Sequence, residues 1–391
     1  MVRKNGKNRP GFTNFGIHIF PDMKKIIAIL ILIMTASASA QKKYNLLVGT
    51  YTNTCDSKGI YVFDFNMETA DSRQKSSTGK LVSPSYLSVS PDKKFVYAVN
   101  EDGKNSTVSA LTYTPKSGEI LYVNSVESKG ADPCHIINDD KNVVVSNYSG
   151  GTISVFKKKT NGGLTEAVQV VAHEGKSVNE KRQEGPHVHM SHFSPDKKFV
   201  LTNDLGTDRI YIYRYYPDSE RKVLELQDTV PVKTGSGPRH LVFSPNGKYV
   251  YLLQELDGTV TVFSYNEGKL KRVQETTVVQ AGFKGEPGGA AIKISADGKF
   301  LYATNRGDAN TVSVFEISGT GRLTHKSTIP TGGNGPRDLA LSPDGKFVLI
   351  AHQNSNNITI FERNASTGML EKTGKKIEMC APVCLVFDEV E

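Results

Sequence analysis

Apolar residues along most of this chain fall in short runs rich in β-branched and aromatic side chains, broken by Gly, Pro, Asn, Asp and Ser. That is the pattern of strands and tight turns rather than of helices. The stretch GPRHLVFSPNGKYVYLLQEL, residues 237–256, shows the unit. It predicts two strands between Leu241 and Leu253 around the turn SPNGK, with Asn-Gly at its centre. Folding this hairpin about Gly247 sets Arg239 opposite Glu255 at the open end. Taken alone, such a pair is a surface ion pair of small energetic consequence.

The unit recurs. SPDKKFVYAVN starts at Ser90, a degenerate NDDKNVVVSNYSGGTISVF at Asn138, and SPDKKFVLTND at Ser194. SPNGKYVYLLQEL follows at Ser244, SADGKFLYATNRGDANTVSVF at Ser295 and SPDGKFVLIAHQ at Ser342. Successive starts lie 48, 56, 50, 51 and 47 residues apart. A seventh copy, YNLLVGTYTNTCDSKGIYVF from Tyr44, lacks the preceding strand and turn. The missing strand stands at the other end of the chain, APVCLVFDEVE from Ala381. Four strand-like runs per unit and a unit shared between the termini predict an all-β fold, a seven-bladed β-propeller. Its ring is closed by pairing the C-terminal strand with the N-terminal blade. No composition break divides residues 41–391, which reads as a single domain.

In such a ring the ends of the first and second strands of every blade gather at one mouth of the central channel. Five residues before each turn Ser stand Ser85, His189, Arg239, Ala290 and Arg337, with Cys134 and His135 sharing that place in the degenerate copy. Eleven residues after it stand Glu101, Leu205, Glu255, Arg306 and Gln353, with Asn147 nearby in the degenerate copy. Strand cores repeat from unit to unit and these positions do not, so the asymmetry needs a cause. Several arginines at one mouth suit a carboxylate or phosphate. A His and a Glu within reach suit proton transfer near neutral pH.

Composition changes the picture in one respect. MKKIIAILILIMTASASA, residues 23–40, has a basic start, an apolar run too short to span a membrane and a small-residue end, the marks of a cleaved secretory leader. Residues 1–40 are therefore expected to be removed, leaving an exported, periplasmic protein with no membrane association after cleavage. Without them the net charge falls from +8 to +3, and no basic block with interleaved aromatics remains, which argues against a nucleic-acid partner. Cys55, Cys134, Cys380 and Cys384 could pair in an oxidising compartment, with connectivity left open. In HVHMSH, residues 187–192, His187 and His189 share a strand face and His192 points away. Two imidazoles beside arginines do not complete a cation site, so neither a metal nor a cofactor is expected.

The segments PSYLSVSPD, VSNYSGGTISVF, PHVHMSHFSPD, GSGPRHLVFSPNGKYVYLLQEL, YATNRGDANTVSVF and GPRDLALSPDGKF resemble the propeller-type lactonase family. That family includes cycloisomerase-type 6-phosphogluconolactonases and carboxy-muconate lactonizing enzymes. The resemblance runs from about Tyr44 to Val386 and implies the seven-bladed fold. It places the family's active-site His, first Arg, Glu and second Arg on His189, Arg239, Glu255 and Arg306. His135, Asn147, His187 and Arg337 are the expected substrate-binding neighbours, and whether His187 or His189 acts is open. The implied activity is hydrolysis of an anionic sugar lactone, 6-phosphogluconolactone first, by a monomer. A muconate-type cycloisomerase and a non-catalytic, YVTN-like exported binding propeller are the alternatives.

Overall fold

A computed structural model describes residues 42–390 and, ahead of them, only residues 1–3, 6 and 11. The expected leader core, residues 23–40, lies outside the described residues. Lys43–Glu391 is one compact unit. It contains seven four-stranded antiparallel sheets, and the innermost strands touch their neighbours in a closed cycle. The protein is a seven-bladed β-propeller. Its first blade joins Pro382–Val390 to Lys43–Thr50, so the ends of the ring meet inside one sheet.

Burial explains why the repeats read as they do. The second strand of a blade is packed on both faces by adjacent blades. Phe347–His352 and Val143–Asn147 are buried at every position and therefore read as continuous apolar runs. The outermost strands, such as Lys269–Thr277, have only half-buried and exposed positions and are rich in charged residues. Apolar clusters lie between blades, Leu47, Ile60 and Val62 of the first meeting Leu87, Val96 and Ala98 of the second.

The turn serine is a structural device. Ser244 Oγ donates to Asn246 and accepts from the backbone N–H of Tyr249, and Ser90, Ser194, Ser295 and Ser342 do the same in their own turns. Gly247 closes the turn at φ 69°, a left-handed conformation natural to glycine. Lys93 and Lys197 hold the same place at φ 56° and 53°.

The register differs from the one expected. Pro238 pairs with Gln254 and His240 with Leu253, so Arg239 has no partner opposite it and forms a β-bulge. Arg239 and Glu255 are thus not cross-strand neighbours. In six of the seven blades the register shifts at this point. A bulge bends the strand and re-aims the side chain. Here that recurrent defect falls at Cys134, His189, Arg239, Ala290, Arg337 and Val383.

Candidate active site

A second backbone device fixes the other set of ring positions. In every blade the residue just after the second strand donates its N–H to the carbonyl two residues before the bulge. Tyr51 bonds Ala381, Glu101 bonds Ser83, Tyr148 bonds Asp132, Leu205 bonds His187, Glu255 bonds Gly237, Arg306 bonds Gly288 and Gln353 bonds Gly335, at 2.7–3.1 Å. One scaffold bond, repeated seven times, presents seven different side chains to the mouth. All seven blades contribute to or border a cavity of about 280 Å³ there.

Glu255 is its electrostatic centre. Its Oε2 lies 3.0 Å from Arg239 Nε, 2.6 Å from Arg306 Nη2 and 3.8 Å from His189 Nε2, while Oε1 accepts from Arg182 Nη2 at 2.5 Å. Burial alone would raise the carboxyl pKa. The combined pull of Arg306, Arg239 and Arg182 outweighs it and holds Glu255 ionised, well below the usual carboxylate range. Arg239 does not line the cavity. Its side chain is 2% exposed, spans from Glu255 to the Ala290 carbonyl, and stays charged although burial and Arg306 pull its pKa down to about 9. It holds Glu255 from behind.

His189 is the cavity's imidazole. Its Nδ1 is 3.7 Å from Cys134 Sγ, and its ring meets Tyr148 edge-on at 5.4 Å. Burial first, then Arg239, depresses its pKa well below the ordinary histidine value, so it is neutral at pH 7. Burial likewise lifts the Cys134 thiol far above the thiolate range. On the opposite wall Arg337 stacks over Tyr51 at 5.2 Å, and Glu101 accepts from Ser85 and from Tyr51. Burial pushes the Glu101 pKa up despite Arg337. Beside Asp132 the site thus holds a firmly ionised Glu255, a Glu101 that is easier to protonate, a neutral imidazole and exposed guanidinium edges.

The structure brings together His189, Glu255, Arg306 and Arg337 on one cavity, with Arg239 beneath. Three other expected residues lie elsewhere. His135 lines a separate chamber of about 230 Å³ deeper in the channel. Asn147 is fully buried and bonds Thr152 and Ser154, bracing its own turn. His187 stacks on Tyr148 at 4.6 Å and bonds Glu184, outside the cavity lining. In the degenerate blade the ring positions are Cys134 and Tyr148, because its turn closes from Asp139 to Asn142 and is two residues shorter than its counterparts.

Arg182, Tyr148, Tyr51 and Asp132 also line the cavity and were not expected. Arg182 stands in the segment between the third and fourth blades, and the 56-residue spacing, the longest of the repeats, was its signal. Among the described residues no cluster of His, Cys, Asp or Glu could hold a metal ion, and no helix is long and apolar enough to cross a membrane. Cys55 and Cys380 form a disulfide, while Cys134 and Cys384 are free and buried.

Residues 45–387 match the family described as Lactonase, 7-bladed beta-propeller. A 6-phosphogluconolactonase of Bacillus subtilis is 33% identical over 350 residues, 88% of this chain and 98% of the relative. One from Formosa agariphila is 33% identical over 342 residues, 85% of this chain and 96% of the relative. A periplasmic gluconolactonase of Pseudomonas aeruginosa superposes with a TM-score of 0.85 at 35% identity, covering 89% of this chain and all of the other. A Bacteroides fragilis structure described as a candidate 6-phosphogluconolactonase superposes with a TM-score of 0.86 at 39% identity, covering 90% of this chain and 99% of the other.

Proposed function

Because the chain belongs to the seven-bladed β-propeller lactonase family, we propose that it hydrolyses an anionic sugar lactone, 6-phosphogluconolactone before others, to the open acid. The observation that carries this reading is the arrangement around Glu255, an ionised carboxylate, a neutral imidazole and accessible guanidinium groups facing one cavity. Water must attack the ring carbonyl while negative charge grows on its oxygen. Neutral His189 is the base, and Glu255 stabilises the imidazolium as it forms. Arg306, at the cavity wall, stabilises the oxyanion. Arg239 positions Glu255 and does not meet substrate. Arg337, across the cavity beside Tyr51 and Glu101, holds the sugar portion.

The test is hydrolysis of 6-phosphogluconolactone and of gluconolactone by the purified chain, corrected for spontaneous ring opening. Acceleration of either supports the reading. A protein inert toward both would return it to the cycloisomerase or binding alternatives.

We also propose that the chain is exported after cleavage near Gln41. The leader pattern and the Cys55–Cys380 bond both support this, since structural disulfides persist in oxidising compartments. N-terminal sequencing of the native protein checks it, and retention of Met1 or Met23 would refute it.

A further inference from the structure

Arg306 is assigned to the oxyanion, Arg239 to Glu255 and Arg337 to the sugar portion, which leaves the phosphate of a phosphorylated lactone without an assigned partner. A second cavity of about 410 Å³ lies beside the first and shares Arg182, Glu255 and Arg306 with it. The rest of its lining differs in kind: the amides of Asn334, Gln353 and Asn354, Pro287, and the bare backbone of Gly288, Gly307 and Gly335. A Cβ on Gly307 would sit 2.0 Å from the Glu286 carbonyl oxygen, and one on Gly288 would sit 2.6 Å from the Gly307 nitrogen. No side chain can therefore grow from these two positions. Among the described residues, Glu255 is the one carboxylate that lines this cavity.

We propose that this second cavity is the subsite for the substrate's anionic substituent, a phosphate monoester, and that Arg182 is the residue that binds it. The proposal rests on the lactonase reading above and names the subsite that reading leaves open. Arg182 differs from the other guanidinium groups on Glu255 in two ways. Its side chain is 43% exposed, against 16% for Arg306 and 2% for Arg239. It also stands on the segment between blades, not on a blade.

That segment is placed by its ends and middle. His173 bonds Asp204 and Tyr213, each at 2.7 Å, Ser177 bonds Asp208 at 2.5 Å, and Gln183 bonds the Leu205 carbonyl at 2.8 Å. The Arg182 side chain bonds Glu255 and, at 3.1 Å, Tyr148 Oη, while its backbone N–H bonds Asn179. Both side-chain contacts are made by Nη2, and Arg182 lines both cavities, so a phosphate in the second can be met by the rest of the guanidinium. The gain is a forked, charge-assisted contact between guanidinium and phosphate, among the stronger polar contacts available to a protein.

The experiment measures kcat/KM for 6-phosphogluconolactone and for gluconolactone on the same protein samples. Wild type should prefer the phosphorylated lactone. Arg182→Ala should lower the ratio of the two by about ten- to a hundredfold, the factor expected for one charged hydrogen bond, chiefly through KM for the phosphorylated substrate. Asn354→Asp, an exposed position that would face the phosphate with a carboxylate, should lower the same ratio. In wild type the ratio should climb as pH rises through about 6, where a phosphate monoester loses its second proton, and the climb should flatten in both variants. Because each protein is compared with itself, a general loss of stability or activity does not mimic the effect. A ratio unchanged in both variants overturns the proposal, as does a wild type without preference. Inactivity of wild type toward both lactones would overturn the hydrolase reading, and this subsite with it.

Discussion

The channel of this propeller is two chambers built from adjacent residues of the same strands, and they handle burial of polar groups in opposite ways. At the bulges stand Cys134, His189, Arg239 and Arg337. One residue further along the same strands stand His135, Met190, His240 and Asp338. The upper cavity keeps its charges by pairing them, four cationic or titratable partners around Glu255. The lower part is lined by one cation, Lys293, and otherwise by groups that burial discharges. Among the described residues His135 Nδ1, His240 Nε2 and Asp338 Oδ1 have no hydrogen-bond partner. Burial drives both imidazoles neutral and pushes Asp338 toward its protonated form. Desolvation is met below by discharge and above by counter-charge. Charge is retained on the side where the proposed chemistry needs it.

The largest effect should come from Glu255→Gln. It removes the negative centre of the upper cavity and should lower kcat/KM for lactone hydrolysis by about a hundred- to a thousandfold. It also strands the buried Arg239 without a counter-charge, so the melting temperature should fall as well. Arg239→Ala should come next, with a loss on the order of a hundredfold, because Glu255 loses the contact that orients it. The hairpin alone suggested little change in stability for either variant, but 2% exposure of Arg239 makes a drop the expected result. Arg337→Ala removes a cavity-wall contact and should act mainly on KM. Steady-state kinetics with thermal denaturation separates the three. Equal activity in all of them would dissolve the contrast between the chambers.

The lower chamber should register in acid. Its imidazoles, with His189 and His192, have folded-state pKa values held down by burial. The unfolded chain takes up protons on them below about pH 6.5 and the folded chain does not. Stability is therefore intact above that pH and declines as pH falls, by about 1.4 kcal/mol per pH unit for each such group. Glu255 acts in the same direction in more acid solution. Asp338 and Glu101, whose pKa values are raised, oppose the trend. Denaturant titrations between pH 5 and 8 should show a shallower decline for His240→Phe. An unchanged slope would refute the neutral-imidazole account. The smallest effect is that of a chelator, which should leave lactone hydrolysis unaltered. Loss of activity restored by zinc would reverse that expectation.

The seven blades and their closure were legible in the chain because each turn serine does the same structural work, and such work repeats in sequence. The grouping of His189, Glu255, Arg306 and Arg337 followed from counting outward from those turns. Counting failed where the turn itself changed. Two residues fewer in the third blade moved the ring positions from Asn147 to Tyr148 and left Cys134 and His135 unresolved between the chambers. The bulge at Arg239 was hidden because the Gly237-Pro238 pair before it reads equally well as an ordinary strand start. Arg182 escaped for the opposite reason. It lies outside the repeat, where only the excess length of one interval betrayed it.

The seam in the first blade has a consequence for the chain as a whole. Cys55 and Cys380, 325 residues apart, are bonded beside the junction where the C-terminal strand meets the N-terminal one. Tyr51, which carries Arg337 on its ring, donates its backbone N–H to Ala381, the residue after Cys380. Covalently residues 55–380 then form a closed loop, with the two seam strands in the tails that leave it, and a disulfide of this kind typically adds about 2–4 kcal/mol by restricting the unfolded chain. Blade one, the only sheet among the described residues assembled from distant parts of the chain, has its two seam strands tethered to each other at the end beside the crosslink. The position of the termini becomes an accident of where the gene starts, and a chain reopened between two other blades would still describe the same molecule.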